Sequence, residues 1–130
     1  MASDTTPSKV LIVEDDALIA MSLREVLSLV GFNVVGVAAT VSDALCLAQN
    51  TQPDVAIFDV WLAGKRDGIE GATELRRMLD IPIVFLTAQL DERTRTRANE
   101  VNPAGYLSKP VHSQQIIAAV TEALVRSDHA

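Results

Sequence analysis

The chain of 130 residues lacks several features on which other classes of protein depend. Its single cysteine excludes an internal disulfide, and a reducing cytoplasm is therefore the expected location. No apolar run approaches the length of a membrane-spanning helix, and the first residues, MASDTTPSK, lack the apolar stretch of a signal peptide. Basic residues are few: 11 Lys and Arg stand against 17 Asp and Glu, and the net charge of −6 argues against binding of nucleic acid through bulk electrostatics. We therefore expect no direct contact with membranes or nucleic acid.

The sequence does contain enough apolar material for a core. Hydrophobic residues make up 48% of the chain and its mean hydropathy is +0.22, which excludes general disorder. A chain of this length fits one domain. We expect residues 1–8 to form a polar tail and residues 9–127 to form a single domain, because the sequence shows neither an internal repeat nor a linker.

Five strand-like apolar runs alternate with five helix-like segments along this domain. The strands are predicted at residues 9–13, 33–38, 54–58, 83–86 and 105–107. The helices are predicted at residues 17–30, 40–49, 69–79, 92–101 and 113–126. Such alternation predicts an α/β fold in which a parallel sheet is covered by helices on both faces.

Apolar spacing supports two of the helices in particular. In the first helix, four apolar residues lie near helical spacing: Leu18, Met21, Val26 and Leu29. In the fifth helix, the residues predicted to face inward are Ile116, Ile117, Val120 and Leu124. Cys46 on the second helix is predicted to be a small core residue. The fourth helix is unusually polar, and its alternate arginines form either a solvated face or part of a partner-binding surface: Arg93, Arg95 and Arg97.

Residues suited to phosphate or metal chemistry follow four of the five strands. They are Glu14 and Asp15 after the first strand, Asp59 after the third, Thr87 after the fourth and Lys109 closely after the fifth. In an open parallel α/β sheet the carboxyl ends of the strands form one rim, where ligands bind. We therefore expect three carboxylates, a hydroxyl and an ammonium to meet in one pocket. That set suits a Mg²⁺ ion and a phosphoryl group.

Each of these residues also has an ordinary structural interpretation when it is taken alone. Acids after the first strand can favour a helix N-terminus, and Asp59 can cap a loop. A threonine suits a strand, and a lysine is often only solvated. A carboxylate such as Asp59 can instead be the nucleophile that forms an aspartyl phosphate, and an ammonium can pair with the phosphoryl group. The joint placement of the five residues favours phosphoryl transfer over five separate structural roles.

The chain resembles the receiver domain of two-component response regulators over nearly its whole length. The matching segments are VLIVEDD, VAIFDVWLAGKRDG, IPIVFLTA and GYLSKP. The resemblance implies a flavodoxin-like receiver fold, a doubly wound five-stranded parallel sheet in the order 2-1-3-4-5, with no output domain in this chain. Two departures stand out. Glu14 replaces the more usual Asp, and the loop WLAGKRDG lacks a common proline and is one residue longer.

The resemblance also implies a role for each residue of the rim. Asp59 looks like the phosphoacceptor, and Glu14 and Asp15 look like the acid pair that holds Mg²⁺. Thr87 resembles the switch hydroxyl, and Lys109 resembles the lysine that senses the phosphoryl group. The rim would therefore carry out one reaction, with Mg²⁺ as its cofactor.

Further features are implied around the same rim. Tyr106 resembles the switch aromatic, and the backbone carbonyl of Trp61 would complete the metal site. The side chains of Trp61 and Gln89 would flank the path of the water that hydrolyses the phosphoryl group. The family usually turns its lysine into the pocket through a cis bond, so we expect the Lys109–Pro110 bond to be cis.

The expected function is that of a phosphoacceptor receiver rather than an enzyme on other molecules. A histidine kinase or phosphotransfer protein would donate the phosphoryl group to Asp59. The face built by the fourth helix, fifth strand and fifth helix would then switch and act on a downstream protein target, in a monomer or weak homodimer. A phosphorylation-independent receiver-like interaction module is the alternative, against which the intact Asp59, Thr87 and Lys109 argue. A phosphohydrolase of the haloacid-dehalogenase kind needs Asp-x-Asp after the first strand, which the segment EDD does not match.

Overall fold

Five strands and five helices alternate along the chain in the computed structural model, which describes residues 6–62, 67–88 and 91–128. The strands are β1 (Lys9–Val13), β2 (Asn33–Ala38), β3 (Val55–Asp59), β4 (Ile83–Thr87) and β5 (Gly105–Ser108). The helices are α1 (Ala17–Leu29), α2 (Val41–Thr51), α3 (Gly68–Met78), α4 (Glu92–Glu100) and α5 (Ser113–Asp128). The predicted alternation is confirmed, and each predicted boundary lies within two residues of the observed one.

The strands pair into one parallel sheet in the order β2-β1-β3-β4-β5. The predicted doubly wound fold is therefore confirmed. In the three central strands, β1, β3 and β4, nearly every residue is buried, because helices cover both faces of a parallel sheet. Their sequences, KVLIV, VAIFD and IVFLT, are accordingly continuous apolar runs rather than alternating ones.

An apolar layer lies on each face of the sheet. On one face, residues of α2, α3 and α4 pack with Phe58 and Phe85, two of the largest fully buried side chains. On the other face lie α1 and α5, where Ile116 and Val120 are buried as predicted. No helix in the described part of the chain is long and apolar enough to cross a bilayer.

The face that α1 buries differs from the one its apolar spacing indicates. The helix itself is confirmed, but its buried residues are Ala20, Leu23 and Leu27. Most of the apolar residues that mark the helix in the sequence are exposed: Leu18 by 78%, Met21 by 66% and Leu29 by 80%. The reason is that α1 carries apolar residues around more than one face, so spacing alone cannot select the side that packs on the sheet.

The prediction that Cys46 lies in the core is wrong, because its side chain is exposed. α2 packs through Val41, Ala44 and Ala48. Residues that share a helix face recur every three or four positions, and position 46 falls between those of the buried face. The Cys46 sulfur instead accepts a weak hydrogen bond from the Asn50 side chain at 3.7 Å on the outer surface.

Side-chain caps begin four of the helices near the carboxyl ends of the strands. The capping residues are Asp16 for α1, Thr40 for α2, Asp67 for α3 and Asp91 for α4. Each cap accepts a hydrogen bond from a backbone N–H that has no partner within its helix. α1, α2 and α4 begin a few residues after a strand ends, and Gly68 at the start of α3 lies against Asp59, so these caps help to fix the backbone around the rim.

Candidate functional site

The structure brings the five residues predicted for the rim together at the carboxyl ends of the central strands. Asp59 is the last residue of β3 and Thr87 is the last residue of β4. Glu14 and Asp15 directly follow β1, which pairs with β3. Lys109 directly follows β5. Glu14, Asp59 and Thr87 are all buried, which is unusual for polar side chains outside a site.

Lys109 joins the two buried carboxylates. Its ammonium nitrogen lies 2.9 Å from Oε1 of Glu14 and 3.0 Å from Oδ2 of Asp59. Its backbone N–H donates to the Thr87 carbonyl at 2.7 Å, which fixes the start of the side chain beside β4. The Lys109–Pro110 peptide bond is cis, as predicted. The ammonium therefore lies between the carboxylates rather than in solvent.

Three carboxylates lie close enough to share one cation. Glu14, Asp15 and Asp59 each offer an oxygen, and these oxygens lie within 4.8 Å of one another. Two of the three side chains are buried, and that of Asp15 is exposed at the mouth of the site. A set made only of oxygen donors, with an open side for water and phosphate, is the kind that holds Mg²⁺.

The hydrogen bonds of Glu14 leave room for a cation. Oε2 accepts the backbone N–H of Asp16 at 3.1 Å. Oε1 is buried and lies at ion-pair distance from Lys109, but no donor in the described part of the chain makes an aligned hydrogen bond to it. Buried oxygens normally have such a partner. Glu14 therefore fits a metal ligand better than a closed structural ion pair.

The charges of the site are strongly coupled. Burial is the main reason that the pKa of Glu14 rises from 4.5 to about 7; neighbouring Asp59 adds to the rise and Lys109 partly opposes it. Burial would lower the pKa of Lys109, but the two carboxylates outweigh that effect and raise it. Lys109 therefore stays charged, and a further cation beside Glu14 would favour its ionised form.

Tyr106 lies in β5, next to β4, and points partly into the protein. Its register partner across the strands is Phe85, and the two rings lie 6.0 Å apart between centroids. The hydroxyl is buried and has no hydrogen-bond partner among the described residues. Burial also raises the pKa of this phenol, so the hydroxyl stays protonated. A tyrosine with an unsatisfied buried hydroxyl has a reason to move when a partner becomes available.

Trp61 is fixed to the site through its backbone. Its N–H donates to Oδ1 of Asp59 at 3.2 Å, and its side chain is 48% exposed. Gln89, predicted to flank the path of the attacking water, lies outside the described residues. So do residues 63–66, the middle of the loop that is longer than is usual in the family. The roles predicted for Trp61 and Gln89 therefore remain predictions.

Two features of the rim were missed at the sequence level. Asp16 caps α1 and donates its N–H to Glu14, so it supports the site without facing it. Gly68 lies so close to Asp59 that a Cβ atom added to it would be 1.9 Å from the Asp59 carbonyl oxygen. The segment DGIE signals the start of α3, since an aspartate followed three residues later by a glutamate is a capping-box pattern, but it does not signal the close contact of Gly68.

Comparisons with known proteins agree with this geometry. Residues 10–121 match the family model described as the response regulator receiver domain. The chain is 38% identical over 125 residues to the transcriptional regulatory protein PdtaR of Mycobacterium tuberculosis, covering 96% of this chain and 60% of that protein. It is 32% identical over 118 residues to the phyllosphere-induced regulator PhyR of Methylorubrum extorquens, covering 90% of this chain and 43% of that protein.

A solved structure gives the same result. The signal receiver domain of a modulated diguanylate cyclase from Desulfovibrio desulfuricans superposes with a TM-score of 0.90 at 37% identity, covering 95% of this chain and 98% of that one. The chain spans about half the length of the two curated relatives, 60% and 43%. The match over most of the sequence, on a sheet of the same kind, shows that the chain belongs to the response regulator receiver domain family.

Proposed function

We propose that this chain is a phosphoacceptor that takes a phosphoryl group onto Asp59 from a histidine kinase or a phosphotransfer protein. The observation that carries the proposal is the placement of Asp59. Its carboxylate ends β3, lies 3.0 Å from the Lys109 ammonium and shares a potential cation site with Glu14 and Asp15. A buried carboxylate with both a fixed cation and a place for a second one suits attack on a phosphoryl group.

The proposed reaction is a single displacement at phosphorus. A carboxylate oxygen of Asp59 forms the new P–O bond while the P–N bond to the donor histidine breaks. The electron pair of that bond stays on the donor imidazole, which takes up a proton. Mg²⁺, when bound, would neutralise charge on the acceptor and on the phosphoryl oxygens. Glu14, Asp15 and Asp59 would hold it, together with the carbonyl of Trp61.

Two further residues would contact the oxygens of the phosphoryl group once it is bound to Asp59. The Lys109 ammonium already lies beside Asp59, so it could exchange its contact with that carboxylate for one with a phosphoryl oxygen. Thr87 lies at the end of the neighbouring strand and would donate its hydroxyl to another oxygen. Trp61 and Gln89 would flank the water that later hydrolyses the acyl phosphate. Of these two, Trp61 would slow the loss by covering the group.

The proposed output is a change in the face built by α4, β5 and α5. Movement of Thr87 towards a phosphoryl group would free space at the end of β4, and Tyr106 would turn into it. The buried, unsatisfied hydroxyl of Tyr106 supports such a move. Phosphorylation would thus shift a pre-existing equilibrium between two forms of this face, and a downstream protein would bind one of them.

The donor protein would dock beside the site on α1. A groove next to Lys109 is lined by the following residues: Leu18, Ile19, Ser22, Leu23, Leu86, Pro110 and Val111. Leu18 in this groove and Met21, three residues further along α1, are large exposed apolar side chains. Exposed apolar surface beside a reactive centre suits an amphipathic helix of a kinase or phosphotransfer protein.

The alternative is an interaction module that signals without phosphorylation. Its support is similarity to PhyR, which is described for Bartonella quintana as an anti-anti-sigma factor; that structure superposes with a TM-score of 0.82 at 28% identity, covering 98% of this chain and 52% of that one. The complete set of Asp59, Thr87 and Lys109 favours the phosphoacceptor.

The test uses acetyl phosphate as a small donor, with Mg²⁺ and intact-mass spectrometry. We expect the wild type to gain one phosphoryl group and Asp59→Asn to gain none. Asp80→Asn is the matched control, since the Asp80 side chain is 99% exposed. Stoichiometric uptake supports the receiver, no uptake supports the interaction module, and rapid steady turnover supports a phosphohydrolase. Equal labelling of Asp59→Asn would refute the assignment of the acceptor.

A further inference from the structure

α4 is held to the rest of the domain by little apolar surface. Only Thr94 and Ala98 are buried along its sequence, ERTRTRANE. Two arginines supply polar contacts between α4 and α3, both towards the C-terminal end of α4. Arg76 of α3 donates to the carbonyls of Val101 and Asn102, just past the end of α4, at 3.0 and 3.2 Å. The second arginine, Arg97, belongs to α4 itself and contacts Asp67, the residue that caps α3.

Arg97 makes a two-point contact with Asp67. Its Nη1 lies 3.0 Å from Oδ2, and its Nη2 donates to Oδ1 at 3.4 Å. The Asp67 side chain is 19% exposed and that of Arg97 is 39% exposed, so the pair is shielded more than a typical surface pair. The hydrogen bond to Asp67 is also the main reason that the pKa of Arg97 is raised. A forked arginine–carboxylate contact fixes direction as well as distance. The prediction that all three arginines of α4 share one role is therefore incomplete.

Asp67 is linked to the backbone around Asp59 through the next residue, Gly68. It caps α3 in a reciprocal box with Glu70. The next residue, Gly68, donates its N–H to the Val60 carbonyl at 2.8 Å. Gly68 also lies against the Asp59 carbonyl with no space for a side chain. A shift of Asp67 would therefore move the peptide that packs on Asp59, because Asp67 is joined directly to Gly68.

We propose that Arg97 is a positioning residue for the Mg²⁺ site: through Asp67 and Gly68 it fixes the backbone that follows Asp59, so that the placement of α4 and the affinity of the site for Mg²⁺ depend on each other. This inference rests on the proposed function. It adds a connection between the site and α4 that does not pass through Thr87 or Tyr106. Such coupling is reciprocal: if α4 affects Mg²⁺ binding, Mg²⁺ must affect α4 to the same extent.

Mg²⁺ titration of the fluorescence of Trp61, the single tryptophan, measures one direction of the coupling. We expect Arg97→Gln to weaken Mg²⁺ binding about threefold, the size of a partly shielded ion pair. Asp67→Asn should do the same, since asparagine still caps a helix but carries no charge. The double variant should be no weaker than either single one, because both remove the same contact. Arg93→Gln, on an exposed arginine of the same helix, is the matched control and should bind as the wild type does.

Hydrogen exchange of the α4 amides measures the other direction. Mg²⁺ should slow exchange of α4 in the wild type and in Arg93→Gln but leave Arg97→Gln unchanged. A purely structural role would speed exchange in Arg97→Gln yet keep its response to Mg²⁺. Equal Mg²⁺ affinity in Arg97→Gln and Arg93→Gln would overturn the inference while leaving the proposed function intact. A wild type that binds no Mg²⁺ would overturn both.

Discussion

Glu14 is the residue at which burial and chemistry conflict most strongly. It is only 2% exposed, carries a carboxylate and lies beside the carboxylate of Asp59. The nearby ammonium of Lys109 relieves part of this conflict. Because the folded protein raises its pKa from 4.5 to about 7, the proton is bound more tightly in the folded state than in the unfolded state. The free energy of unfolding therefore falls as the pH rises through this interval, and the full loss is reached above it.

This conflict predicts a pH dependence for the metal-free protein. Between about pH 4.5 and pH 7, Glu14 should reduce the free energy of unfolding by up to about 3 kcal/mol. The glutamine of Glu14→Gln cannot ionise, so the free energy of unfolding of this variant should fall less over the same pH interval. Urea denaturation in the presence of a chelator at pH 5 and pH 8 measures the difference. Parallel pH profiles for the two proteins would show that Glu14 is not strained by its charge.

Gly68 is the residue whose size controls the approach of α3 to the acceptor. A methyl group on it would meet a backbone oxygen of Asp59, which cannot rotate away as a side chain can. We expect Gly68→Ala to lower the free energy of unfolding by about 1–3 kcal/mol and to slow phosphorylation by acetyl phosphate. Gly105→Ala is the control, since its nearest neighbours are the methyl groups of Val84 at 3.5 Å. Equal urea midpoints for the two variants would contradict the close contact.

At the scale of elements, α1 has one buried face and one exposed apolar face. One face packs on the sheet, and the exposed face begins beside Lys109 with Leu18 and continues through Met21. Leu29 is equally exposed but lies at the opposite end of the helix. If the exposed face docks the donor, only its end near the site should matter.

We therefore expect Leu18→Gln to slow phosphotransfer from a histidine kinase or phosphotransfer protein by about tenfold, a loss of about 1.4 kcal/mol of docking energy. Phosphorylation by acetyl phosphate should not change, because that donor needs no docking surface. Leu29→Gln, on the same helix with the same change of side chain, should behave as the wild type with both donors. A similar loss with both leucine variants, or with acetyl phosphate, would argue against docking at this end of α1.

The elements also show what the sequence could and could not reveal. The central strands were predictable because burial on both faces demands continuous apolar runs, and the residues at their ends reach the site by topology alone. The buried face of α1 could not be predicted, because apolar residues surround the helix and only packing selects which of them are buried. Cys46 was misplaced for a similar reason. The contact between Arg97 and Asp67 spans 30 positions and joins two helices, so no local pattern could have indicated it.

At the scale of the whole molecule, repulsion between the carboxylates of the site lowers the stability of the domain. The strands bring three carboxylates to one rim, and within the described part of the chain the ammonium that lies among them is that of Lys109. The fold tolerates this arrangement because a large apolar core lies on both sides of the sheet. A divalent cation at the rim would relieve the repulsion in the folded state alone. Binding of Mg²⁺ should therefore stabilise the entire domain and not only the loops around the site.

We expect the melting temperature of the wild type to rise by about 5 °C at a Mg²⁺ concentration near ten times the dissociation constant, where binding contributes about 1.4 kcal/mol. Asp15→Asn should show a much smaller rise. Because the Asp15 side chain is exposed, this variant should have nearly the wild-type melting temperature without Mg²⁺, so the change isolates the metal from the fold. Asp43→Asn, at an exposed aspartate in the first turn of α2, should keep the full rise. Thermal scans of the three proteins with a chelator and with Mg²⁺ make the comparison. A rise of the same size in Asp15→Asn would place the cation away from the rim, because charge at this exposed carboxylate can matter only where the cation binds.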